Sequence, residues 1–252
     1  MNKVKPKIIV MDLDGTLLTD AKNVSEYSLS ILEKCKALNI KICIATARSL
    51  RSSIKFIEII KPDLMILNGG ALAISKTNKI LYKKYLSQKT TDGIIKECIK
   101  INSIGKIGVH TDKIVFVNYD DQYREFTDFS KPFKHKAIKI TLRTNDKISL
   151  INIEEKFSES KLMDYSGEDF FTFAHKKAEK FEAIKTISKK EKTEISEIIA
   201  FGDDYNDIEM VKNCGIGIAM ENGIVEIKNI AKYVCGNNNK DGIGKWIKKN
   251  VL

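Results

Sequence analysis

The sequence predicts an α/β protein whose core is a doubly wound parallel sheet, interrupted by a smaller α+β insertion. Up to about residue 80, short and continuously apolar runs alternate with segments of helical periodicity, which is typical of a parallel sheet covered on both faces. Beyond that point the strands alternate in polarity and lie close together, which indicates antiparallel pairing. After about residue 180 the first pattern returns.

The first half of the predicted core has three strands and two helices. The predicted strands are KIIVM (7–11), IKICIATA (40–47) and DLMILNGG (63–70). The predicted helices are SEYSLSILEKCKAL (25–38) and SLRSSIKFIEII (49–60). In the first helix the apolar residues recur at helical spacing. Ser25 is its expected N-cap, because a hydroxyl there satisfies an amide of the first turn.

The insertion is expected to combine antiparallel strands with one helix. Its predicted strands are KIGVHT (106–111), KIVFVNY (113–119), AIKITLRT (137–144), KLMDYSG (161–167) and DFFTFAH (169–175). Its helix is DKISLINIEEKFSES (146–160). The returning core then contains the helix FEAIKTISKK (181–190) and the strands EIIAFGDD (197–204), GIGIAM (215–220) and YVC (233–235). We therefore expect a core domain of residues 1–82 and 180–252, and an inserted domain of residues 83–179.

Length and composition limit the classes of protein to which the chain can belong. With 252 residues, the chain can bury a substantial core as one large domain or two modest ones. No apolar run approaches the length of a bilayer span, and we expect no signal peptide. The five cysteines are scattered and form no C-x-x-C pair, which argues against a disulfide framework or a zinc site. A reducing cytoplasm is the expected location.

The formal net charge of +10 allows a nucleic acid, a membrane surface or a small anionic substrate as partner. The lysines are spread along the chain in short clusters without interleaved aromatic residues. A solvated, lysine-rich surface is therefore the expected explanation. We predict no nucleic-acid or membrane partner; a positive field that attracts phosphorylated metabolites fits the same charge. The oligomeric state cannot be predicted.

Two acidic clusters follow predicted strands. Asp12 and Asp14 end the first strand, and FGDDYND (201–207) follows EIIA. Ligands bind at the carboxyl ends of strands in open parallel sheets, so the two clusters would meet if their strands are neighbours. Carboxylates brought so close need a cation or a shared proton. Mg²⁺, which prefers oxygen ligands, would serve.

Two further strand ends offer groups suited to a phosphoryl oxygen. ATAR (45–48) supplies the hydroxyl of Thr46 and the guanidinium of Arg48. NGG (68–70) supplies the amide of Asn68 and a permissive backbone. Each motif has a plainer explanation by itself, because Asp-Gly and Asn-Gly are common turns and an arginine often pairs with a surface acid. An EF-hand loop starting at Asp12 is excluded, because its fifth and twelfth positions hold Thr16 and Asn23.

In this order, DLDGT, ATAR, a downstream lysine and GDDYND resemble the haloacid dehalogenase (HAD) superfamily, and more narrowly its Cof-type (subfamily IIB) phosphatases. The resemblance extends over essentially the whole chain. It implies a Rossmann-like core, an inserted C2-type cap domain, and Mg²⁺-dependent hydrolysis of small phosphate monoesters through an aspartyl-phosphate. The substrate classes it implies are sugar phosphates, nucleotides and cofactor phosphates.

The resemblance also assigns roles to single residues. Asp12 is the nucleophile, and Asp14 is the general acid and then the base. Mg²⁺ is held by the Asp12 carboxylate, the backbone carbonyl of Asp14 and Asp203. Thr46 and Lys180 complete the catalytic set. The supporting residues are Asp207 and Asn206, and the expected substrate contacts are Arg48, Asn68 and Asn222.

Several alternatives stay open. Lys177 is a rival for the site lysine, because the region is rich in lysine. A phosphosugar mutase of the same superfamily shares the architecture, and a non-catalytic binding protein is a rival from another class. The sequence also does not identify the physiological substrate or the insertion residues that select it.

Overall fold

The computed structural model describes residues 5–112, 114–164 and 169–252. The chain divides into two compact units. Unit 1 consists of Met1–Lys83 and Glu179–Leu252, and unit 2 is the uninterrupted stretch Lys84–Ala178.

Unit 1 contains an eight-stranded sheet. In sheet order its strands are β14 (Tyr233–Cys235), β13 (Ile216–Met220), β12 (Ile198–Gly202), β1 (Ile8–Met11), β2 (Lys41–Ala45), β3 (Leu64–Leu67), β4 (Leu72–Ser75) and β5 (Ile80–Lys83). The six strands from β14 to β3 are parallel to one another. At the edge of the sheet, β4 pairs antiparallel with β3, and β5 pairs antiparallel with β4. The prediction assigned no strands to residues 71–83, because these two four-residue segments are too short and too mixed in polarity to be distinguished from a loop.

Helices cover both faces of this sheet, so the predicted fold class is correct. They are α1 (Glu26–Ala37), α2 (Leu50–Ile60), α5 (Lys180–Lys190), α6 (Ile208–Asn213), α7 (Val225–Ile230) and α8 (Gly242–Asn250). Alternate residues of β1 point to opposite faces of the sheet and pack against the two helical layers. Ile9 and Met11 pack in the cluster that includes α1, α2 and α8, whereas Ile8 and Val10 pack in the cluster that includes α5, α6 and α7. Ser25 caps α1 as predicted, because its side chain accepts a hydrogen bond from the amide of Ser28.

Unit 2 contains a six-stranded sheet with one apolar face. In sheet order its strands are β10 (Ser160–Asp164), β11 (Phe170–His175), β9 (Lys139–Arg143), β6 (Ile107–His110), β7 (Val115–Val117) and β8 (Glu125–Phe126). The helices α3 (Gln88–Cys98) and α4 (Lys147–Lys156) contribute to the apolar cluster on that face. Pairing is antiparallel except between β7 and the short edge strand β8, which was not predicted.

Parts of two predicted strands, Lys113 and residues 165–167, lie outside the described residues. Across the portion of the chain that is described, no helix combines the length and apolarity that crossing a bilayer requires.

Candidate active site

Four neighbouring parallel strands of unit 1 end in polar residues. In sheet order β12, β1, β2 and β3 are followed by Asp203, Asp12, Thr46 and Asn68. The carboxyl ends of parallel strands share one edge of the sheet, which is where ligands bind in open α/β folds. The predicted strand-end residues are therefore gathered at one edge.

A buried lysine joins two of the acidic residues. Lys180 begins α5, and its Nζ lies 2.6 Å from Asp12 Oδ1 and 2.6 Å from Asp207 Oδ1. The side chains are almost fully buried, with Lys180 2% exposed and Asp207 0% exposed. Gly70 contributes to this arrangement, because a Cβ there would lie 2.1 Å from the carbonyl carbon of Glu179. The backbone that presents Lys180 therefore lies directly against the turn after β3.

Asp203 is held against the loop that follows β1. Its Oδ1 accepts a 2.5 Å hydrogen bond from the hydroxyl of Thr16. Gly15 has a φ of +75°, and a Cβ there would lie 2.2 Å from Asp203 Oδ2. Glycine is thus required both for the left-handed backbone and for the close approach of the carboxylate.

Three carboxylates at this edge can hold a metal ion. Asp12, Asp203 and Asp207 each offer one oxygen, and these oxygens lie within 4.8 Å of one another. An octahedral Mg²⁺ with oxygen ligands at about 2.1 Å fits between such oxygens. Three carboxylates and one ammonium sum to a formal charge of −2, so the chemistry of the donor set calls for a hard cation. This set differs from the predicted ligands by including the Asp207 side chain.

Burial and crowding shift the pKa values of this cluster. Burial raises the pKa of Asp12 well above its ordinary value; Lys180 opposes that shift, and Asp207 and Asp203 add to it. Burial, followed by repulsion from Asp207, raises the pKa of Asp203 to about 7. For Lys180 burial lowers the pKa, but Asp12 and Asp207 more than offset this and raise it above its ordinary value. The ammonium therefore stays charged beside the crowded carboxylates.

Asp14 lies only two residues from Asp12 but has a different environment. Arg48 binds it in bidentate fashion, with Nε 2.6 Å from Oδ2 and Nη2 2.7 Å from Oδ1. Lys22 Nζ lies 2.8 Å from Oδ1. Burial raises the pKa of Asp14, but the hydrogen bonds from Arg48 and then Lys22 outweigh it and lower the pKa to about 2. Asp14 is therefore an ionised carboxylate in this state, clamped by two cations.

Three further predicted residues of the site are Thr46, Asn68 and Asn206. Thr46 is buried, and its hydroxyl accepts a hydrogen bond from the amide of Arg48 at 3.1 Å. Asn68 is buried in a left-handed turn with a φ of 53°. Among the described residues, Asn68 Oδ1 and Asn206 Oδ1 are buried and have no hydrogen-bond partner. These two oxygens are therefore acceptors that no described protein group satisfies.

The remaining predicted residues are Asn222 and Lys177. The side chain of Asn222 donates to the carbonyl of Gly15 at 2.7 Å and accepts from the amide of Asn238 at 3.0 Å. It thus supports the loop after β1, and its role as a substrate contact stays a prediction. Lys177 is exposed and belongs to unit 2, whereas Lys180 makes the carboxylate contacts.

The sequence analysis assigned no role to three residues that shape this site. They are Thr16, Lys22 and Gly15. Thr16 and Gly15 belong to the DLDGT motif, so their positions were a usable signal. Lys22 carries no such signal, because its position depends on a left-handed backbone with a φ of 58°.

The sheet topology and the strand-end carboxylates define a doubly wound α/β protein with an acidic cluster at the carboxyl edge of its sheet. The family model for haloacid dehalogenase-like hydrolases matches residues 9–247. The chain therefore belongs to the haloacid dehalogenase-like hydrolase family. The predicted superfamily is confirmed, and so is the prediction of a phosphatase-type enzyme.

Individual relatives agree with this family assignment. A 5-amino-6-(5-phospho-D-ribitylamino)uracil phosphatase from Bacillus subtilis is 27% identical over 98% of this chain and 98% of its own length. A solved HAD-superfamily phosphatase from Bacteroides thetaiotaomicron has a TM-score of 0.86 at 22% identity, covering 97% of this chain and 94% of that one. A solved HAD subclass IIB sugar phosphatase has a TM-score of 0.82 at 21% identity, with 96% and 98% coverage. These two structures support the fold.

Proposed function

We propose that the protein is a Mg²⁺-dependent phosphatase that hydrolyses small phosphate monoesters through an aspartyl-phosphate on Asp12. The observation that carries the proposal is the buried contact of Lys180 Nζ with Asp12 Oδ1, beside the carboxylates of Asp203 and Asp207. A carboxylate needs no base to make it nucleophilic, and a neighbouring ammonium offsets charge as an anionic ester approaches.

In the first step an oxygen of Asp12 forms a bond to phosphorus, and the bond from phosphorus to the ester oxygen breaks. Asp14, which must first take up a proton from the solvent, gives that proton to the departing oxygen, which leaves as an alcohol. Thr46 holds a phosphoryl oxygen, while Lys180 neutralises charge on Asp12 and the phosphoryl group. Because charge spreads over the phosphoryl oxygens in such transfers, positioning and electrostatics provide most of the rate enhancement.

In the second step water attacks the phosphorus of the aspartyl-phosphate. Asp14, now a carboxylate, takes a proton from that water, and the bond between phosphorus and Asp12 breaks to release inorganic phosphate. The bidentate contact with Arg48 occupies both oxygens of Asp14 in this structure. Arg48 has to release at least one oxygen before Asp14 can carry the proton of the first step, and an anionic substrate is a competitor for the guanidinium.

Mg²⁺ fits the site as the resident cation. Asp12, Asp203 and Asp207 offer the oxygen donors, and the backbone carbonyl of Asp14 is the further ligand that we expect. When bound, the ion screens the repulsion between an anionic nucleophile and an anionic ester.

Unit 2 is proposed to act as the cap domain that selects the organic part of the substrate. The Bacillus subtilis relative is named for a phosphorylated ribitylamino-uracil. That compound, sugar phosphates, nucleotides and cofactor phosphates form the substrate panel that we would screen first.

The test compares wild type with Asp12→Asn on a generic aryl phosphate, with and without Mg²⁺. We expect Mg²⁺-dependent turnover in the wild type and a loss of roughly 10³-fold or more in the variant, because the amide cannot form the acyl phosphate. Asp128→Asn, an identical change at an exposed loop carboxylate of unit 2, is the control and should keep wild-type turnover.

Equal turnover in Asp12→Asn and wild type would refute the proposed nucleophile. If the wild type hydrolyses neither the aryl ester nor any member of the panel, the phosphatase proposal fails. The phosphomutase alternative is then tested by asking whether a bisphosphorylated sugar supports transfer between sugars.

A further inference from the structure

The loop after β1, residues 13–23, is held by three asparagines from the last part of the chain. We call these residues the asparagine anchor; they are Asn222, Asn238 and Asn239. The loop and the anchor both belong to unit 1, although 207 positions of sequence separate Gly15 from Asn222. The anchor therefore acts on a loop that contains Asp14 but is remote from it in the chain.

The first contacts of the anchor are with backbone carbonyls close to Asp14. Asn222 Nδ2 donates to the carbonyl of Gly15 at 2.7 Å, and Asn238 Nδ2 donates to the carbonyl of Leu18 at 3.0 Å. The two asparagines are joined, because the amide of Asn238 donates to Asn222 Oδ1 at 3.0 Å. Leu18 in turn forms an isolated β-bridge with Asp14. The anchor thus supports the backbone on which the Asp14 carboxylate is mounted.

The second set of contacts fixes the turn of residues 19–23, which follows in the same loop. Asp20 Oδ1 accepts from Asn238 Nδ2 at 3.0 Å, and Asp20 Oδ2 accepts from Asn239 Nδ2 at 2.8 Å. The amide of Asp20 donates to Asn239 Oδ1 at 3.0 Å. These three hydrogen bonds hold the turn from one side, through a single residue near its start.

Lys22 depends on that turn for its position. Its amide donates to the carbonyl of Thr19 at 2.8 Å, and its backbone has a left-handed φ of 58°. A residue with a Cβ adopts this conformation only at a cost in free energy, so the surrounding structure has to impose it. The anchor on Asp20 is the part of the structure that holds this turn.

The contact between Lys22 and Asp14 would be weak without such support. Their side chains are 49% and 37% exposed, and an exposed ion pair gains little because two flexible side chains have to be ordered. Asn238, by contrast, is 6% exposed, so its amide is a well-ordered point of attachment. Fixing the backbone of Lys22 lowers the entropy cost of the pair and makes the contact persistent.

The contact leaves the two oxygens of Asp14 unequal. Arg48 bonds to both of them, whereas Lys22 bonds only to Oδ1. When an anionic ester takes Arg48 away, Lys22 still occupies Oδ1 and Oδ2 becomes free. A general acid or base transfers its proton through one oxygen, which has to face the reacting atom. Lys22 therefore determines which oxygen of Asp14 is available.

We propose that the asparagine anchor is a positioning device for the reaction at Asp14. It holds the loop after β1 so that Lys22 stays on Oδ1 of Asp14 and Oδ2 carries the proton. The inference rests on the proposed phosphatase function and adds two positioning residues to it, Asn238 and Lys22.

The kinetic test uses the full-length protein, a generic aryl phosphate and Mg²⁺. Asn238→Leu keeps the size of the side chain and removes its hydrogen bonds, and Lys22→Met removes the ammonium. Each should lower kcat about tenfold and change KM less than about twofold, because a misdirected acid slows the chemistry without weakening ester binding. In the double variant kcat should lie within about twofold of the Asn238→Leu value, because both residues act through the same contact.

Asn118→Leu is the matched control. Asn118 also bonds two backbone groups of a loop, since its Oδ1 accepts from the amide of Ile107 at 2.8 Å and its Nδ2 donates to the carbonyl of Gly105 at 3.2 Å. This asparagine belongs to unit 2, so its loss should leave kcat unchanged even if stability falls. Circular dichroism and the melting temperature establish that each variant is folded.

Hydrogen exchange measures the anchor without reference to turnover. In Asn238→Leu the amides of residues 16–23 should exchange at least about tenfold faster than in the wild type, because the turn opens more often. In Asn118→Leu the same amides should exchange at the wild-type rate. Mass spectrometry of peptides that cover this loop gives both rates.

The inference is overturned if exchange in the loop is the same in Asn238→Leu and wild type, or if kcat does not fall in either single variant. Effects of Asn238→Leu and Lys22→Met that multiply in the double variant overturn it as well, since independent losses indicate a merely structural role. Failure of the phosphatase proposal looks different. The wild type itself would show no Mg²⁺-dependent turnover, and the role of the anchor in the reaction would fall with it although the exchange result stands.

Discussion

The two sheets of this protein place their polar residues in opposite ways. In unit 1 the central strands β1 and β12 are buried on both faces, so Asp12 and Asp203 lie where these strands end. In unit 2 one sheet face is apolar and the other carries polar side chains such as Thr172 in mid-strand. A parallel sheet covered by helices leaves polar side chains to its edge, whereas an antiparallel sheet with one apolar face can carry them along its other face.

The two regions also differ in how much charge they carry. The strand-end cluster of unit 1 concentrates charge, with three carboxylates around one buried ammonium. The mid-strand polar residues of the unit 2 sheet are mostly neutral, with Lys139 beside the imidazole of His110 and the hydroxyl of Thr141. Variants should therefore have large effects in unit 1 and graded effects in unit 2.

The largest effect is expected for Lys180→Met. Two buried carboxylates, Asp12 and Asp207, lose the cation that lies 2.6 Å from each, so the free energy of unfolding should fall by about 3–5 kcal/mol without metal. Mg²⁺ should recover more stability in this variant than in wild type, because the ion replaces part of the missing positive charge. Urea unfolding with and without Mg²⁺ measures both quantities, and phosphatase turnover should fall at least about 100-fold.

Lys185→Met provides the control on the same helix. Lys185 pairs with Glu182 at the surface, and exposed pairs contribute at most about 1 kcal/mol. If both lysine variants lose the same stability, the charge cluster of unit 1 is not the stabilising feature described above.

A smaller effect should appear in the pH dependence of unit 2. The folded pKa of His110 is about 3, below the ordinary value of 6.5, so between these values the unfolded chain binds a proton that the folded chain does not. The stabilising contribution is therefore complete above about pH 6.5 and is lost as the pH falls. Between pH 7.5 and 5.5 the free energy of unfolding should drop by about 1 kcal/mol more in wild type than in His110→Gln.

Urea unfolding at those two pH values measures the difference, with His135→Gln, at an exposed histidine of the same unit, as the control. A His110→Gln variant with the same pH slope as wild type would show that the ring is accessible to protons in the folded protein.

The smallest expected effect is on stability and comes from changing two buried threonines of unit 2. Thr172→Val removes a buried hydroxyl that has no partner in the described structure, so the free energy of unfolding should rise by about 1 kcal/mol. Thr91→Val removes a hydroxyl that is hydrogen-bonded, so in this variant the free energy of unfolding should fall by a similar amount. Two changes of the same sign in thermal unfolding would contradict the distinction between a hydroxyl without a partner and a hydrogen-bonded one.

The sequence predicted where the strand-end carboxylates lie, because each acidic motif directly follows a continuous apolar run. It placed Asp12 and Asp203 at one sheet edge only on the condition that their strands are neighbours, and β1 does pair with β12. The clamp of Lys22 and Arg48 on Asp14 could not be predicted, because it depends on loop geometry rather than on residue pattern.

The polar residues that share one face of the unit 2 sheet could not be predicted, for a different reason. Alternation within AIKITLRT shows that Lys139 and Thr141 share a face, but it does not show which strands lie beside them. The register that places Thr172 opposite Thr141 depends on pairing between segments some thirty residues apart. Pairing of that kind is decided by packing against α3 and α4, which local patterns do not encode.

The pairing of β1 with β12 also has a consequence for biosynthesis. Ile8 pairs with Ile198, so one edge of the first strand has no neighbour until about 190 further residues have been made. At the usual rates of translation this interval is roughly 10–40 s. Unit 2, by contrast, is encoded as one uninterrupted stretch that is complete before β12 emerges. A nascent chain therefore carries an apolar strand with an open edge until β12 has been made, and the loop after β1 takes its final shape only then.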